Sequence, residues 1–270
     1  MTEIIHKELS YSVRGVLFDV YNQLGPMLPE RFYQEAIAVG LEAEGIACQT
    51  EKQFDVQYLG VEVGRYYVDV WIDSGKLLLE LKVAPEISSL HRAQAISYLK
   101  VTDADLAVVV NFGAASLEDE RLPNRLRHKK DEFVWPETPP AISVPYPELV
   151  DQIVKALHRV HFELGPGFLH QVYRRAAMVE LRQQEIGYRY IKQMPVYYRS
   201  THLGIQETRL IPVEGCILLA TMAVREVEEA MKARLRARLR RQNVELGLLA
   251  NFNGVRLDVS MVRNGYNELK

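Results

Sequence analysis

The sequence predicts an α/β fold that occurs twice, as two tandem domains that each hold a mixed central sheet flanked by helices. Two observations carry this prediction. The chain aligns with itself, without a gap, at an offset of 140 residues. The hydrophobic pattern of one copy also reads as two helices, three strands, a helix and a strand. The 270 residues are enough for two domains, each with its own core.

The repeat is visible at both ends of the copies. The offset places Leu24-Gly25-Pro26 on Leu164-Gly165-Pro166 and Asn111-Phe112 on Asn251-Phe252. A register kept over this length is typical of a tandem duplication. Six of the twelve prolines fall between residues 123 and 147, which predicts an extended and stiff linker. We therefore place the two copies at residues 1–126 and 148–270, with a Pro-rich linker at 127–147.

Two helices open the first copy. Apolar residues from Val13 to Leu24 recur at helical spacing, and Gly25-Pro26 ends that helix. The second helix begins near Pro29, whose fixed φ suits a first helical turn, and ends at Gly45. It is expected to turn a set of apolar side chains inward, namely Phe32, Ala36, Ile37 and Leu41.

Three strands, a helix and a last strand follow. Phe54, Val56 and Tyr58 alternate as in a strand, and residues 67–72 and 76–83 flank the turn signal Asp73-Ser74-Gly75. A helix is predicted over residues 89–100 and an apolar strand over residues 106–112. This order predicts a sheet with helices on its faces.

Composition excludes several classes of protein. No stretch approaches the roughly 18 apolar residues that a membrane span needs, and the first ten residues lack the apolar core of a secretory signal. We therefore expect a cytoplasmic protein without a membrane partner. The two cysteines, Cys48 and Cys216, have no CxxC spacing, which argues against a disulfide framework or a zinc site. The net charge of −2 argues against nucleic-acid binding through bulk charge but allows a local basic groove.

The predicted hairpin brings two acids together. If Ser74-Gly75 forms a two-residue loop, Asp69 lies directly opposite Glu80. Cross-strand neighbours have Cβ atoms about 4.5–5.5 Å apart, so both carboxylates can reach one divalent ion. The two-residue period of a strand also puts Lys82 beside Glu80 on that face, while Leu79 and Leu81 point to the core. The spacing alone suits a salt-bridged cluster on an exposed sheet surface equally well.

Several segments of the first copy together resemble the GxxExxY family of the PD-(D/E)XK nuclease superfamily. They are Tyr67-Val68-Asp69, Leu79-Glu80-Leu81-Lys82, His91-Arg92-Ala93-Gln94-Ala95 and Asn111-Phe112-Gly113, with Glu30 and Tyr33 at the place of the name motif. The resemblance covers almost all of residues 5–122 and implies a restriction-endonuclease-like domain. Met27 stands where the motif has glycine.

The resemblance implies a metal-dependent nuclease that hydrolyses phosphodiester bonds of nucleic acid. DNA is the expected substrate, RNA stays open, and Mg²⁺ or Mn²⁺ is the implied cofactor. The metal ligands are then Asp69, Glu80, the Leu81 carbonyl and the helical glutamate Glu35. Lys82 is expected to position or activate the attacking water, and Gln94 matches a helical glutamine beside the active site.

The second copy has lost these polar residues. Under the same offset, Arg175, Arg209, Ala220, Met222 and Arg234 replace Glu35, Asp69, Glu80, Lys82 and Gln94. We expect a degenerate copy, a pseudonuclease, in which Arg175, Arg209 and Arg234 bind nucleic acid and which can pack against the first copy as an intramolecular pseudo-dimer. For the basic helix at residues 231–241, which carries Arg234, the alternative is a solvated helix whose arginines pair with Glu226, Glu228 and Glu229.

Two other functions compete with the nuclease prediction. In the first, the chain is a non-catalytic nucleic-acid-binding or scaffold protein whose first copy is itself silent. In the second, it is a metal-free RNA-processing enzyme, for which the sequence offers no Lys-His-Tyr or similar acid–base set. The intact trio of Asp69, Glu80 and Lys82 favours the nuclease.

Overall fold

A computed structural model describes residues 5–125, 133–135 and 144–264 of the chain. Residues 127–132 and 136–143 of the predicted linker lie outside this description. Within the described ranges, none of the helices has the combined length and apolar character of a membrane span.

The helices and strands are α1 (Lys7–Leu24), α2 (Glu30–Ala43), β1 (Cys48–Tyr58), β2 (Val61–Ile72), β3 (Leu77–Lys82), α3 (Ser89–Thr102), β4 (Leu106–Asn111), β5 (Glu118–Pro123), α4 (Pro147–Leu164), α5 (His170–Gln183), β6 (Ile191–Tyr198), β7 (Thr201–Val213), β8 (Ile217–Met222), α6 (Glu229–Gln242), β9 (Leu246–Asn251) and β10 (Asp258–Arg263).

Each copy forms one five-stranded mixed sheet. The first sheet has the order β1-β2-β3-β4-β5, and the second has the order β10-β9-β8-β7-β6. The strand β3 runs parallel to β4, because the helix α3 carries the chain back before β4 begins, and β8 runs parallel to β9 in the same way. The neighbouring pairs β2–β3 and β4–β5 are antiparallel. The predicted α/β class, with two mixed sheets flanked by helices, is confirmed.

The duplication persists in the element bounds. The helices α3 and α6, and likewise the strands β3 and β8, begin and end at positions displaced by 140 residues. The chain divides into two compact units. The first comprises Met1–Gln57, Arg65–Glu132 and Gly165–Gly167, and the second comprises Tyr58–Gly64, Phe133–Leu164 and Phe168–Lys270.

A buried tyrosine fixes the loop between the first two helices in each copy. Tyr33 is fully buried and stacks on Phe112 with 4.1 Å between ring centroids. Its hydroxyl donates to the Gly25 carbonyl at 2.7 Å and accepts from the Leu28 N–H at 2.9 Å. The aligned Tyr173 and Phe252 stack in the same way, at 4.4 Å, in the second unit. The tyrosine is therefore a core residue that satisfies backbone groups of a loop that has no secondary structure.

Two details of the predicted fold are wrong. Phe32 is 40% exposed, because the inward face of α2 is the i, i+4 row of Tyr33, Ile37 and Leu41. The strand β5 was not predicted, because its sequence EDERLP is polar and lacks the alternation of a half-buried strand. It pairs with β4 at the edge of the sheet, where polar residues suit an open strand.

Candidate active site

The hairpin β2–β3 has the register that the sequence predicts. Val70 pairs with Leu79 and Trp71 pairs with Leu78, so the next step along both strands sets Asp69 opposite Glu80. The loop closes through a 3-10 turn at Asp73–Gly75. Leu79 and Leu81 lie in the core of the first unit, as expected. The two carboxylates are therefore neighbours on the other face of β3.

Backbone groups hold Asp69 in place. Its side-chain Oδ2 accepts a hydrogen bond from the Leu81 N–H at 2.7 Å, across the hairpin. Its own carbonyl accepts from the side-chain amide of Gln34 at 2.8 Å, and the same amide group donates to Glu51 at 2.9 Å. The other oxygen of the carboxyl group, Oδ1, lies outside these bonds. Asp69 is thus fixed in position by α2 on one side and by β3 on the other.

Glu80 is a buried carboxylate with two partners. Only 4% of the residue is exposed. Its Oε1 accepts from the Lys82 ammonium at 2.5 Å, and its Oε2 accepts from the Tyr66 hydroxyl at 2.9 Å. The Lys82 ammonium also donates to the Leu81 carbonyl at 3.0 Å. A cationic group therefore already lies against the two oxygen donors, Glu80 Oε1 and the Leu81 carbonyl, that the resemblance assigns to a metal ion.

Burial controls the protonation of this cluster. Burial raises the pKa of Asp69 to about 8, and the charge of Glu80 adds to the rise, against the Leu81 N–H and Lys82. Burial also raises the pKa of Glu80, although Lys82 and Tyr66 lower it. For Lys82, burial lowers the pKa, but Glu80 and Asp69 raise it more, so the net pKa is above its ordinary value. Lys82 is therefore an ammonium at neutral pH, whereas Asp69 is mainly protonated there unless a further cation replaces its proton.

The helical glutamate nearest the acids is Glu30. It is the first residue of α2, and its charge raises the pKa of Asp69, Glu80 and Lys82. Glu30 shares a helix face with Gln34, which binds Asp69. Glu35 is rotated by about 140° from Glu30 around the helix, and both residues are exposed. The charge of Glu30 thus acts on the acids, whereas the charge of Glu35 is not among the causes of their pKa shifts, and the role of Glu35 stays a prediction.

Gln94 reaches the site only indirectly. It is half-buried on α3, one turn before Tyr98. The Tyr98 ring stacks on Tyr66 at 3.8 Å, and Tyr66 binds Glu80. Among the residues that the structure describes, no hydrogen bond joins Gln94 to either carboxylate. The sequence did not predict Tyr66, because strand alternation places it on the opposite face from Asp69.

The aligned positions of the second copy hold no acid pair. Ala220 and Met222 replace Glu80 and Lys82, and both pack in the apolar core of the second unit. Arg209, at the position of Asp69, contacts Glu207 Oε2 at 2.5 Å and His170 Nε2 at 3.2 Å. Arg175 and Arg234, the other two arginines predicted to bind nucleic acid, are both exposed. The structure thus brings Arg209 to His170, a residue that was not predicted for this role.

The donor set of the first copy fits a small divalent cation. In the described part of the chain, no three His, Cys, Asp or Glu side chains converge closely enough to hold a metal ion by themselves. Mg²⁺ is commonly bound through one or two carboxylates, with water and substrate oxygens at its other positions. The first copy offers two carboxylates, Asp69 and Glu80, and the Leu81 carbonyl, which matches that pattern. The Lys82 ammonium already lies against Glu80 and this carbonyl.

A protein-family match covers most of the chain. The sequence model of the PD-(D/E)XK nuclease superfamily matches residues 7–122 and matches again at residues 147–264. The comparison with curated proteins found no match. Among solved structures, the chain is similar to one described as "Crystal structure of SSO0001", with 16% sequence identity and a TM-score of 0.29. That similarity covers 44% of this chain and 57% of the other.

Proposed function

The chain belongs to the PD-(D/E)XK nuclease superfamily, whose members are generally nucleases, and from this premise we propose that its first copy is a metal-dependent nuclease. The reaction is hydrolysis of a phosphodiester bond in nucleic acid, with DNA as the expected substrate. In the proposed division, residues 1–126 carry the activity, residues 127–147 link the copies, and residues 148–270 are a pseudonuclease that binds nucleic acid.

One observation supports this proposal above the others. Glu80 is 4% exposed, and its partner Lys82 binds both Glu80 Oε1 and the Leu81 carbonyl. A cluster on an open sheet surface would be solvated, so the alternative of an exposed salt-bridge cluster does not suit these residues. Burial of two acids beside one lysine is costly unless a further cation or hydrogen bonds compensate it. Such a cost is typical of functional sites.

The proposed metal ligands are Asp69, Glu80 and the Leu81 carbonyl, and Glu30, in place of Glu35, is the helical acid that acts on them through its charge. A bound Mg²⁺ or Mn²⁺ supplies polarisation of water and offsets the charge that grows on the phosphate. Asp69 Oδ1, which lies outside the bonds that hold the residue, is the oxygen available to such an ion.

The residues around the ligands have separate roles in the proposal. Lys82 remains protonated, so it orients the attacking water and stabilises negative charge and does not act as a base. Tyr66 holds Glu80 through its Oε2, which leaves Oε1 toward Lys82. Gln94 lies one turn before Tyr98 on α3 and is proposed to support that side of the site. No covalent intermediate is required.

Membership of the GxxExxY group is also proposed. Met27 stands at the place of the first glycine of the motif and has a φ of 70°, while the aligned Gly167 has a φ of 114°. Left-handed backbone at both positions explains why glycine suits the motif there. Tyr33 supplies the buried hydroxyl of the motif, and Glu30 supplies the acid near the metal ligands.

A cleavage assay tests the proposed activity. The full-length protein is expected to cut DNA with Mg²⁺ or Mn²⁺ and to lose this activity with a chelator, since the acid pair needs a cation. Parallel RNA substrates define the sugar preference. Binding of nucleic acid without cleavage under any divalent ion would instead support the non-catalytic binding or scaffold protein.

Two glutamates of α2 provide a matched pair of variants. Glu30→Gln is expected to lower the Mn²⁺ affinity and the cleavage rate by about tenfold or more, because its charge reaches Asp69 and Glu80. Glu35 lies on a different face of α2 from Glu30, so Glu35→Gln is expected to change neither quantity. Calorimetric titration with Mn²⁺ and the cleavage assay measure both variants. The reverse result would restore Glu35 as the helical ligand.

A further inference from the structure

We propose that the second copy carries a binding site for a phosphate group, formed by His170, Arg174 and Arg209. This inference deepens the nucleic-acid role proposed for that copy and rests on it only for the source of the phosphate group. The three residues occupy the positions that Glu30, Gln34 and Asp69 hold in the first copy. A place that holds two acids and a glutamine in one copy thus holds two arginines and a histidine in the other.

The site lies at the start of a long helix. His170 is the first residue of α5, which has 14 residues and no side-chain cap at Leu169. The first backbone N–H groups of a helix point toward its N-terminal end and favour an anion there. Arg174 follows one turn after His170, so both side chains lie on the same face of α5. The helix thus contributes fixed donors beside two side-chain donors.

Arg174 is a buried cation that lacks a complete set of partners. Only 7% of the residue is exposed, and its Nε has no hydrogen-bond partner in the described chain. Its guanidinium lies 5.5 Å from the centre of the Tyr190 ring, which offsets part of the charge. Burial lowers the pKa of Arg174, and the charges of Arg209 and Arg175 lower it further. An oxyanion would accept from the terminal guanidinium nitrogens, which unlike Nε are not sealed from solvent, and would offset these charges.

A distortion of the strand presents Arg209 to the same place. The pairing of β6 with β7 shifts between Ile191–Leu210 and Gln193–Glu207, which leaves an extra residue on β7. Arg209 lies in this bulge with a φ of 52°. Bulges bend a strand and redirect a side chain, often beside a site. The redirected guanidinium contacts His170 Nε2 at 3.2 Å.

The charges around the cluster leave a net positive site. Glu207 Oε2 accepts from Arg209 at 2.5 Å and balances one arginine. Burial lowers the pKa of His170, and the charges of Arg174 and Arg209 lower it further, so the imidazole is mainly neutral at pH 7 and can still donate one hydrogen bond. Two guanidinium groups against one carboxylate leave a charge that suits a phosphate, whose oxygens match the planar fork of arginine.

Thermal unfolding of the full chain with inorganic phosphate tests the site. Phosphate at constant ionic strength is expected to raise the melting temperature of the wild type by about 2–5 °C at roughly ten times its dissociation constant. Arg209→Ala should lose most of this shift, since Arg209 is partly exposed and its removal spares the core. Arg182→Ala, on the exposed end of α5, and Arg240→Ala, on α6, are matched controls that should keep it.

A second variant guards against misfolding. Arg174→Lys keeps the charge but removes the fork, and it should reduce the phosphate shift as Arg209→Ala does. If Arg174→Lys does not fold, Arg209→Ala alone decides. A wild type that does not respond to phosphate, or an equal shift in Arg209→Ala and the controls, would overturn the proposal.

Two further arms identify the source and separate the proposals. If a short DNA strand competes with phosphate and binds less tightly to Arg209→Ala, the phosphate group is a backbone phosphodiester; if only phosphate responds, the site binds free phosphate groups. Glu80→Gln, which should impair the first copy, is expected to keep the full phosphate shift. Absence of cleavage with an intact phosphate shift would therefore refute the nuclease and leave this site standing.

Discussion

Lys82→Met is expected to lower metal-dependent cleavage by about a hundredfold to a thousandfold, the cost of removing one preorganised donor that stabilises developing charge. The ammonium that contacts Glu80 Oε1 and the Leu81 carbonyl is lost, so the attacking water and the developing charge lose their donor. Methionine has a similar length, and the aligned Met222 packs against the core of the second copy. The change should therefore remove the charge without leaving a cavity.

The matched control is Lys76→Met on the same hairpin. Lys76 is exposed and pairs with Asp73 at 2.7 Å, away from the acids. The Lys76→Met variant should cleave nucleic acid at the wild-type rate. The Lys82→Met substitution removes the ion-pair partner of Glu80. Circular dichroism and the melting temperature therefore serve to show that each variant is folded. A folded Lys82→Met that cleaves as fast as the wild type would refute the role given to this lysine.

The sequence could predict those parts of the fold that depend on short-range pattern. The repeat offset needs only the order of residues, and the hairpin register needs only the loop length, so the pairing of Val70 with Leu79 followed. The placement of Glu80 between the core residues Leu79 and Leu81 also followed from strand alternation. The depth of burial of Glu80 did not, because it depends on contacts with other elements, such as that of Tyr66, whose ring stacks on Tyr98.

The features that the sequence did not predict depend on contacts between elements. The resemblance selected Glu35 from the predicted helix, and only the rotation of α2 against the sheet shows that the charge of Glu30 acts on the acids. The contact of Tyr66 with Glu80 breaks the strand alternation on which the prediction relied. The strand β5 is polar because it lies at an edge, so its existence depends on its neighbour β4. In the second copy, Arg209 contacts His170 from a bulge that no pattern indicates.

Asp69→Asn is expected to lower the Mn²⁺ affinity by at least about a hundredfold, because loss of an outer-shell partner alone costs about ten- to a hundredfold. The substitution keeps the shape of the side chain, and the amide oxygen can still accept from the Leu81 N–H. The fold should therefore persist. Asp73→Asn, on the same hairpin but exposed and paired with Lys76, is the control and should bind Mn²⁺ as the wild type does.

The protonation of Asp69 makes the same variant a test of pH dependence. The pKa of Asp69 in the folded protein, about 8, exceeds its ordinary value of 3.8. The metal-free fold therefore binds an extra proton between these values and loses stability as the pH rises from about 4 toward 8. Metal requires the ionised carboxylate, so wild-type Mn²⁺ affinity should rise about tenfold per pH unit from about pH 6 to 8 and then level off.

Calorimetry in buffers of different ionisation enthalpy should count about one proton released at pH 7. Asp69→Asn should show no such release and should be more stable than the metal-free wild type at pH 8, by a margin that shrinks toward pH 5. Equal proton release in both proteins would mean that another group, such as Glu80, whose pKa burial also raises, carries the linkage, and the protonation given to Asp69 would then be wrong.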